Sequence, residues 1–421
     1  MTETGSAATL EAIRLFVALV SVAAVTALVV RRLRIPYSVS LVVLGLIAGV
    51  MLPAGAIHVT PELVLLVLVP GLVFEAALRL QLSELRGTFG WLLLLAAPGV
   101  LLTAVIVAIV LRLATGLPFE LGMVVGAMVA ATDPVAVIST FRNLGAPARL
   151  GTLVEGESLF NDGTALVLFV VTVNAISGEV TLAGMAGTVI VTVISSVAIG
   201  LAAGWFASRL IKLVDDHSIE LTLSLAAAYG TYLLTDGLHQ SGIIATVTAG
   251  VVIGTYGRAV GLSQRALEAL DTVWEFIAFL LTALAFLLVG LAISFGDLVA
   301  AAPSIVWGLI AILVGRAAVV YGLLGVFARL VRGRLPGAAV PVAWLHVLFW
   351  AGLRGAVAVA MALSLPADFP QRALLQEITF GVVLFTLFVQ GTTAERVVAR
   401  VGALEAKAGA EAGAETGGGA A

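Results

Sequence analysis

Apolar residues occupy most of this chain in long, nearly uninterrupted runs. The runs are roughly 17–30 residues long and are separated by short polar breaks. A helix needs about 20 apolar residues to cross the hydrocarbon core of a bilayer, so runs of this length indicate membrane-spanning helices. A transmembrane barrel would instead show short strands of alternating polarity, and the sequence has none. The pattern therefore predicts an all-α polytopic membrane protein.

We predict thirteen transmembrane helices, of which the second is short. They cover residues 9–30, 37–54, 61–80, 88–112, 119–140, 150–176, 181–208, 219–236, 240–257, 271–294, 300–328, 339–364 and 374–395. Of the 22 Lys and Arg residues, 17 lie after odd-numbered helices or at the C-terminal end, three lie on the other side, and Arg316 and Arg354 fall inside spans. The positive-inside rule therefore predicts a cytoplasmic C-terminus and an N-terminus outside.

Thirteen helices divide into six, one linking helix and six, and the odd linker inverts the second set relative to the first. This is the inverted-repeat plan of many secondary transporters. Helix 5 is interrupted by Asp133-Pro134, and its counterpart, helix 12, carries G-L-R-G at 352–355. Interrupted helices in matching positions are the best sequence pointer to a transport site.

Composition narrows the remaining possibilities. The chain is 61% hydrophobic and 11% charged, and it contains no cysteine, which excludes disulfides, thiol chemistry and cysteine-based metal sites. We expect a membrane domain at 1–400 and a short, disordered cytoplasmic tail at 401–421. The first apolar run has no basic segment before it and is predicted to be a retained helix rather than a signal peptide.

Charged side chains at bilayer depth are the candidate chemistry, because each costs at least about 2.5–3.5 kcal/mol to insert. In helix 5, Pro134 removes a backbone donor and frees carbonyls around 130–132, which need a cavity or a partner. Thr132 and Asp133 are therefore candidate ligands for a small cation. The alternative is a proline kink in which Asp133 only caps the following half-helix.

Helix 6 adds polar residues at helical spacing. Ser158 and Asp162 are four residues apart and share a face, which offers a hydroxyl and a carboxylate to Na⁺. In a partly dry cavity a carboxylate holds a proton readily, so cation and proton compete for Asp162 and their transport is coupled. Glu157 and Asn161 share the adjacent face and are predicted to form a polar pair that joins helices.

Several other groups have candidate roles. Arg354 needs a buried anion, and we expect Glu157 to supply it; Arg316 needs Glu155 or the carbonyl end of a broken helix.

Glu75 in helix 3 either gathers cations at the inner side or pairs with Arg79 at i+4. His346, at the start of helix 12, is expected to be a hydrogen-bonded core histidine rather than a pH sensor.

These residues lie in stretches that resemble a known family, the monovalent cation/proton antiporters of the CPA1 type. The family includes NhaP-like sodium/proton antiporters and the animal Na⁺/H⁺ exchangers. The matching stretches run in the family's order from about residue 70 to 360: L-V-F-E-A-A, A-A-T-D-P-V-A-V, E-G-E-S-L-F-N-D-G, V-W-E-F-I-A-F-L, V-G-R-A and G-L-R-G-A-V-A.

The resemblance implies a thirteen-helix inverted-repeat fold with crossed, discontinuous helices 5 and 12, a homodimer, and an elevator-like motion. It implies that Asp162 carries Na⁺ or a proton, and that Thr132, Ser158 and Asp133 help to hold the cation. Glu75 would reach the site directly or through water. Asn161 and Glu157 would pair, with Arg354 bracing them.

The Asn161-Asp162 dipeptide resembles the sequence found in the electroneutral branch of the family. Electrogenic relatives have a second aspartate at the position of Asn161. We therefore expect the protein to exchange one Na⁺ for one H⁺ and to serve pH and sodium homeostasis. We expect it to lie in the lipid of a prokaryotic plasma membrane and to need no cofactor or nucleic acid. K⁺/H⁺ exchange by the same fold is the main alternative, and acceptance of Li⁺ stays open. A channel, an ion sensor and an intramembrane hydrolase fit less well; for the last, neither H-E-x-x-H nor G-x-S-x-G is present.

Overall fold

The computed structural model describes residues 14, 17–30, 37–51, 60, 62–80, 82–144, 146–176, 182–214, 216–260, 264–327 and 341–400. The predicted tail at 401–421 lies outside these residues. Throughout the described part the secondary structure is helical and no strand occurs, which confirms the all-α prediction.

Sixteen helices are assigned in the described ranges. They are α1 (Val17–Val30), α2 (Tyr37–Met51), α3 (Val69–Arg79), α4 (82–115), α5 (Phe119–Ala130), α6 (Val135–Leu144), α7 (Ala148–Ile176), α8 (Leu182–Ile211), α9 (His217–Gly237), α10 (Gly242–Val260), α11 (Gln264–Leu291), α12 (Phe295–Ala300), α13 (Ala302–Phe327), α14 (Val342–Trp350), α15 (Ala356–Leu363) and α16 (Arg372–Arg400).

Each predicted span coincides with one helix or with an interrupted pair. Within the described residues, seven helices are long and apolar enough to cross a membrane, judged by length and composition alone: Thr88–Thr115 of α4, α7, Gly187–Ile211 of α8, α10, Leu267–Leu291 of α11, α13 and α16. Three shorter apolar helices, α1, α2 and α5, accompany them. The total of thirteen crossings stays a prediction.

Both predicted interruptions are present. The fifth span stops at Ala130, where Ala131 turns to an extended backbone (φ −58°, ψ 134°), and resumes at Val135. Pro134 explains the stop, because it cannot donate to the preceding turn and disfavours helical geometry at Asp133. The twelfth span stops at Trp350 and resumes at Ala356 after Gly355.

In the part of the chain that the structure describes, five helical stretches have π-helical rather than α-helical hydrogen bonding: Leu63–Leu68 before α3, Leu95–Gly99 in α4, Ile253–Gly257 in α10, Ala318–Leu324 in α13 and Thr386–Gly391 in α16. Pro98 lies inside the second of these. The wider turn accommodates a residue that cannot make the regular bond, and such stretches are frequent at functional sites.

The chain packs into two units, each built from two separate parts of the sequence. The first unit contains the described residues of 14–79 and 193–300. Its helices α2 and α11 cross at Gly45 and Gly290, where a methyl group on either residue would overlap the other backbone. Small residues permit this close approach, which is how helices associate where no water drives them together.

The second unit contains the described residues of 80–192 and 301–400. Here α4 and α5 cross with Gly122 against Ala108 and Gly126 against Ala104, again backbone to backbone. Spans 4–6 and 11–13 make up this unit, and it holds both interrupted spans and helix α7. It is therefore the unit in which the candidate site is found.

Candidate cation-binding site

The two interrupted spans meet at their breaks. The backbone N–H of Asp133 donates to the carbonyl of Leu353 at 2.8 Å, so one unwound segment is hydrogen-bonded directly to the other. A methyl group on Gly355 would overlap the Asp133 carboxylate, so glycine is required for this approach. The two chain breaks thereby form one polar junction inside the second unit.

Asp133 caps the second half of its own span. Its Oδ1 accepts from the backbone N–H of Val135 at 3.0 Å, at the N-terminus of α6. The N-terminus of α15 begins just after Gly355, beside the same carboxylate. Negative charge is favourable at a helix N-terminus because the first backbone N–H groups have no helical partner. Asp133 therefore caps α6, and its carboxylate lies beside the start of α15.

Arginines satisfy the opposite ends of the broken spans. Arg354 Nη1 donates to the carbonyls of Ala130 and Ala131 at 3.0 and 3.1 Å, at the C-terminus of α5. Arg316 Nη2 donates to the carbonyl of Leu348 at 2.6 Å, near the C-terminus of α14. Each half-helix thus ends against a guanidinium group, which complements the negative end of the helix dipole.

The predicted partners of the arginines need correction. We expected Arg354 to pair with Glu157, but both guanidinium Nη atoms of Arg316 donate to the Glu157 carboxylate, one of them at 2.9 Å. Of the two partners considered for Arg316, the carbonyl end of a broken helix is present at Leu348. The freed carbonyls around 130–132 were expected to need a cavity or a partner, and for two of them the partner is Arg354.

Asn161 occupies the position predicted for it. Its Nδ2 donates to Glu157 Oε1 at 3.5 Å, a weak bond one helical turn along α7. The predicted Glu157–Asn161 pair is therefore present, and Arg316 braces it in place of Arg354. Glu157 and Asn161 are 2% and 3% exposed, so this network is sealed from solvent.

The candidate ligands lie on the neighbouring face of α7. Thr132 Oγ1 and Ser158 Oγ are hydrogen-bonded at 2.8 Å, which joins the break in the fifth span to α7. The backbone amide of Thr132 faces the carboxylate of Asp162, and Asp133 and Arg354 act on that carboxylate through their charges. Thr132, Ser158, Asp133 and Asp162 are therefore brought together as predicted.

Asp162 has one oxygen without a partner. Its Oδ1 is buried and accepts no hydrogen bond from any described residue. A buried carboxylate oxygen left unpaired is costly, so it marks a position where a ligand or a proton completes the bonding. Across the described ranges no cluster of three His, Cys, Asp or Glu side chains is arranged to hold a metal ion. The described oxygens that a cation could bind here include Oδ1 of Asp162 and the hydroxyls of Thr132 and Ser158.

Glu75 lies in the other unit. It forms an ion pair with Arg79 four residues later on α3, and Arg79 Nη2 also lies 3.5 Å from Glu275 Oε2. The ion pair with Arg79 that was considered for Glu75 is thus present. A contact of Glu75 with the cation site around Asp162 stays a prediction.

One site residue was not singled out from the sequence. Thr386 of α16 accepts from the backbone N–H of Arg354 at 3.1 Å, which fixes the unwound segment from a third side. A threonine in an apolar helix is too common a feature to identify such a contact in advance.

The sequence matches a family model over nearly its whole length. The model described as "Sodium/hydrogen exchanger, transmembrane" covers residues 17–400. The chain belongs to this family. It is accordingly an integral membrane protein, as the apolar helices also indicate.

Named relatives and a solved structure agree with this assignment. The chain is 35% identical over 373 residues to the Na⁺/H⁺ antiporter ApNhaP of Aphanothece halophytica, covering 88% of this chain and 70% of the relative. It is 37% identical to the low-affinity Na⁺/H⁺ antiporter NhaS1 of Synechocystis, covering 87% and 69%. The sodium proton antiporter MjNhaP1 of Methanocaldococcus jannaschii superposes with a TM-score of 0.78 at 20% identity, covering 93% of this chain and 99% of that one, which establishes the fold.

Proposed function

We propose that this protein exchanges Na⁺ for H⁺ across the membrane, with Asp162 as the group that binds either ion. The observation that carries the proposal is the unpaired carboxylate oxygen of Asp162 beside the Thr132–Ser158 hydroxyl pair. Na⁺ prefers oxygen ligands, and a carboxylate accepts a proton at the same atoms. Cation and proton therefore exclude one another, and this competition couples their movement.

The charges around Asp162 support an electroneutral exchange. The junction contains the carboxylates of Asp133, Glu157 and Asp162 and the guanidinium groups of Arg316 and Arg354. When all are ionised, one negative charge remains. One Na⁺ or one proton cancels it, whereas an empty site would have to move through the membrane charged, at a cost of several kcal/mol. Loaded forms are thus favoured over the empty form in the step that crosses.

Further features of the proposal follow from the family and from the positive-inside pattern. We propose a homodimer in a prokaryotic plasma membrane, with the C-terminus in the cytoplasm and Glu75 contributing at the inner side. The transport cycle uses alternating access of the junction to the two sides. K⁺ is the alternative substrate to Na⁺. The series of Na⁺, Li⁺ and K⁺ pulses described below decides between them.

The test is exchange in proteoliposomes containing a pH-sensitive dye. Pulses of Na⁺, Li⁺ or K⁺ are applied to wild type, to Asp162→Asn and to a matched control, Asp271→Asn, which changes an aspartate of the other unit. We expect Na⁺ to drive proton movement in wild type and control, at a rate unchanged when valinomycin and K⁺ clamp the membrane potential, and no exchange in Asp162→Asn. Exchange retained in Asp162→Asn would refute its role as carrier.

A further inference from the structure

The unwound segment of the twelfth span, residues 351–355, runs along one face of α16. At one end the backbone N–H of Arg354 donates to Thr386 Oγ1 at 3.1 Å. At the other end the indole N–H of Trp350, the last residue of α14, donates to Thr393 Oγ1 at 2.9 Å. The segment and α16 are therefore antiparallel here, and a residue of α16 between these two contacts, on the same face, meets the middle of the segment.

Gln390 is that residue. It follows Thr386 by four positions and precedes Thr393 by three, so the three side chains share a face of α16. Its place between the two contacts sets it opposite Gly352. Gln390 is 2% exposed, and its Oε1 is buried and accepts no hydrogen bond from any described residue. A buried amide oxygen without a donor is costly, so it marks a position where a further partner binds.

Gly352 offers the matching donor. It is buried, and its backbone N–H makes no hydrogen bond to any described residue. The Nε of Arg316 is also buried without a partner among these residues, and it lies against Gly352, where a methyl group would approach it to 2.7 Å. Two unpaired N–H donors and one unpaired amide oxygen thus lie along the same stretch of backbone.

Helix α14 is held on its other side by α13. The Nη2 of Arg316 donates to the carbonyl of Leu348, and the Tyr321 hydroxyl lies 2.9 Å from His346 Nδ1. His346 is exposed, so it is hydrogen-bonded as expected but is not a core residue, which corrects the sequence-based expectation. These contacts fix the regular helix and leave the unwound residues after it to α16 and to the fifth span.

We propose that Gln390 is a positioning residue of the cation site, and that one buried water joins its amide oxygen to the backbone N–H of Gly352. The water donates to Gln390 Oε1 and accepts from the N–H of Gly352 and from Nε of Arg316. About three hydrogen bonds are typical of a buried water. Leu353, the next residue, accepts from the N–H of Asp133, so a bond that holds Gly352 also holds the junction of the two broken spans.

The inference rests on the proposed exchange function and predicts a specific kinetic change. A residue that positions the ligands determines how well the Na⁺-bound site forms, so its loss raises the apparent KM for Na⁺. A residue that only stabilises the fold would instead lower the amount of active protein, and hence the maximal rate, with KM unchanged. We expect Gln390→Met to raise KM about fivefold, the factor that one hydrogen bond contributes, with the maximal rate within about twofold of wild type.

The experiment combines exchange kinetics in proteoliposomes with an experimental structure at a resolution that shows ordered waters. Gln390→Met keeps the length of the side chain and removes its amide group. The control, Val389→Met, places the same side chain at the neighbouring, exposed position. Wild type and control should show a water within hydrogen-bond distance of Gln390 Oε1 and the Gly352 nitrogen, and Gln390→Met should lack it.

The outcomes separate the two proposals. A wild-type structure without this water would overturn the bridge. An unchanged KM in Gln390→Met, or a loss of maximal rate alone, would overturn the positioning role while leaving the exchange function standing. Should Gln390→Met be unfolded, as judged by size-exclusion chromatography, the wild-type structure decides. If no cation drives proton movement in wild type, the exchange function fails, and the presence or absence of the water still decides the bridge.

Discussion

At the junction, the fixed charges are more deeply buried than the carboxylate that we propose to carry the ion. Glu157 and Arg354 are each 2% exposed, whereas Asp162 is half-buried. The buried groups all have charged or carbonyl partners, which is the condition for burying them at acceptable cost. Asp162 keeps access and an unpaired oxygen, which are the two properties a transported ion requires.

The hydroxyl pair should contribute to affinity rather than to turnover. We expect Thr132→Val or Ser158→Ala to raise the apparent KM for Na⁺ by roughly 5–10-fold, the effect of losing about 1 kcal/mol or slightly more of ligand bonding. The maximal rate should stay within about twofold, because Asp162 still binds the proton. A Thr393→Val control lies outside the junction and should leave KM unchanged. Equal loss of maximal rate in both variants would contradict a ligand role.

The Arg316–Glu157 pair should be needed for stability. Removing one partner leaves the other charged and buried, so Arg316→Met or Glu157→Met should cost about 3–5 kcal/mol and lower the yield of folded protein. Replacing both at once removes the charge imbalance, and the double variant should recover most of the lost stability. Thermal unfolding of the four proteins in detergent measures this. Additive losses in the double variant would show that the two side chains are not coupled.

The sequence predicted which residues meet at the junction but not how the arginines are assigned. Arg316 and Arg354 are chemically equivalent, and both lie in spans that reach the site. Which of them reaches Glu157 depends on helix rotation within the packed unit, which periodicity does not determine. The binding of Arg354 to the carbonyls of Ala130 and Ala131 was not predicted, for the same reason.

At the level of helices, the crossing of the two breaks depends on one glycine. A methyl group on Gly355 would overlap Asp133, so we expect Gly355→Ala to displace that carboxylate and to abolish exchange. Gly325→Ala is the matched control, because a Cβ there meets no atom within 4 Å. Exchange assays on both variants provide the measurement. Normal exchange by Gly355→Ala would mean that the contact between the breaks is dispensable.

Helix α9 begins with a cap that gives a pH-dependent contribution to stability. Asp216 accepts from the backbone N–H groups of Ser218 and Ile219 at 2.8 and 3.2 Å, and these bonds lower the pKa of its carboxyl group. A lowered pKa means that the charged cap stabilises the fold above the ordinary range of about pH 4 and that this stabilisation is lost as pH falls through the lowered value.

We therefore expect Asp216→Ala to lower the Tm slightly at neutral pH and to differ less from wild type in strong acid. Asp216→Asn should lie between the two, because asparagine caps helices without the charge. Thermal unfolding at several pH values measures the differences. A difference in Tm between wild type and Asp216→Ala that increases toward acidic pH would contradict the role of Asp216 as a charged cap.

Helix existence was predictable because apolar runs and their polar breaks define it directly. Both interruptions were predicted from Pro134 and from the glycines at 352 and 355. The π-helical stretches were not, because only one of them contains a proline that would signal it. A π-turn elsewhere reflects packing against neighbouring helices, which a single sequence does not reveal.

At the scale of the whole molecule, the division of the chain into units follows the predicted repeats. Spans 4–6 and 11–13 are counterparts in the six-one-six arrangement, and they form the second unit together. The sequence indicated that correspondence through the two interrupted spans alone. It did not indicate that the remaining spans form a unit of their own, because their glycine crossings are recognisable only when the helices are placed side by side.

The two arginine caps and the single open carboxylate have a consequence for growth. If each crossing is neutral, the membrane voltage does no work on the exchange, and only the two concentration ratios set its direction. The protein would then expel sodium while the outside-to-inside ratio of protons exceeds that of sodium, and would admit sodium once the medium is alkaline enough to reverse that inequality. A sodium-sensitive bacterium that expresses it should tolerate salt in acidic broth and lose that tolerance in alkaline broth.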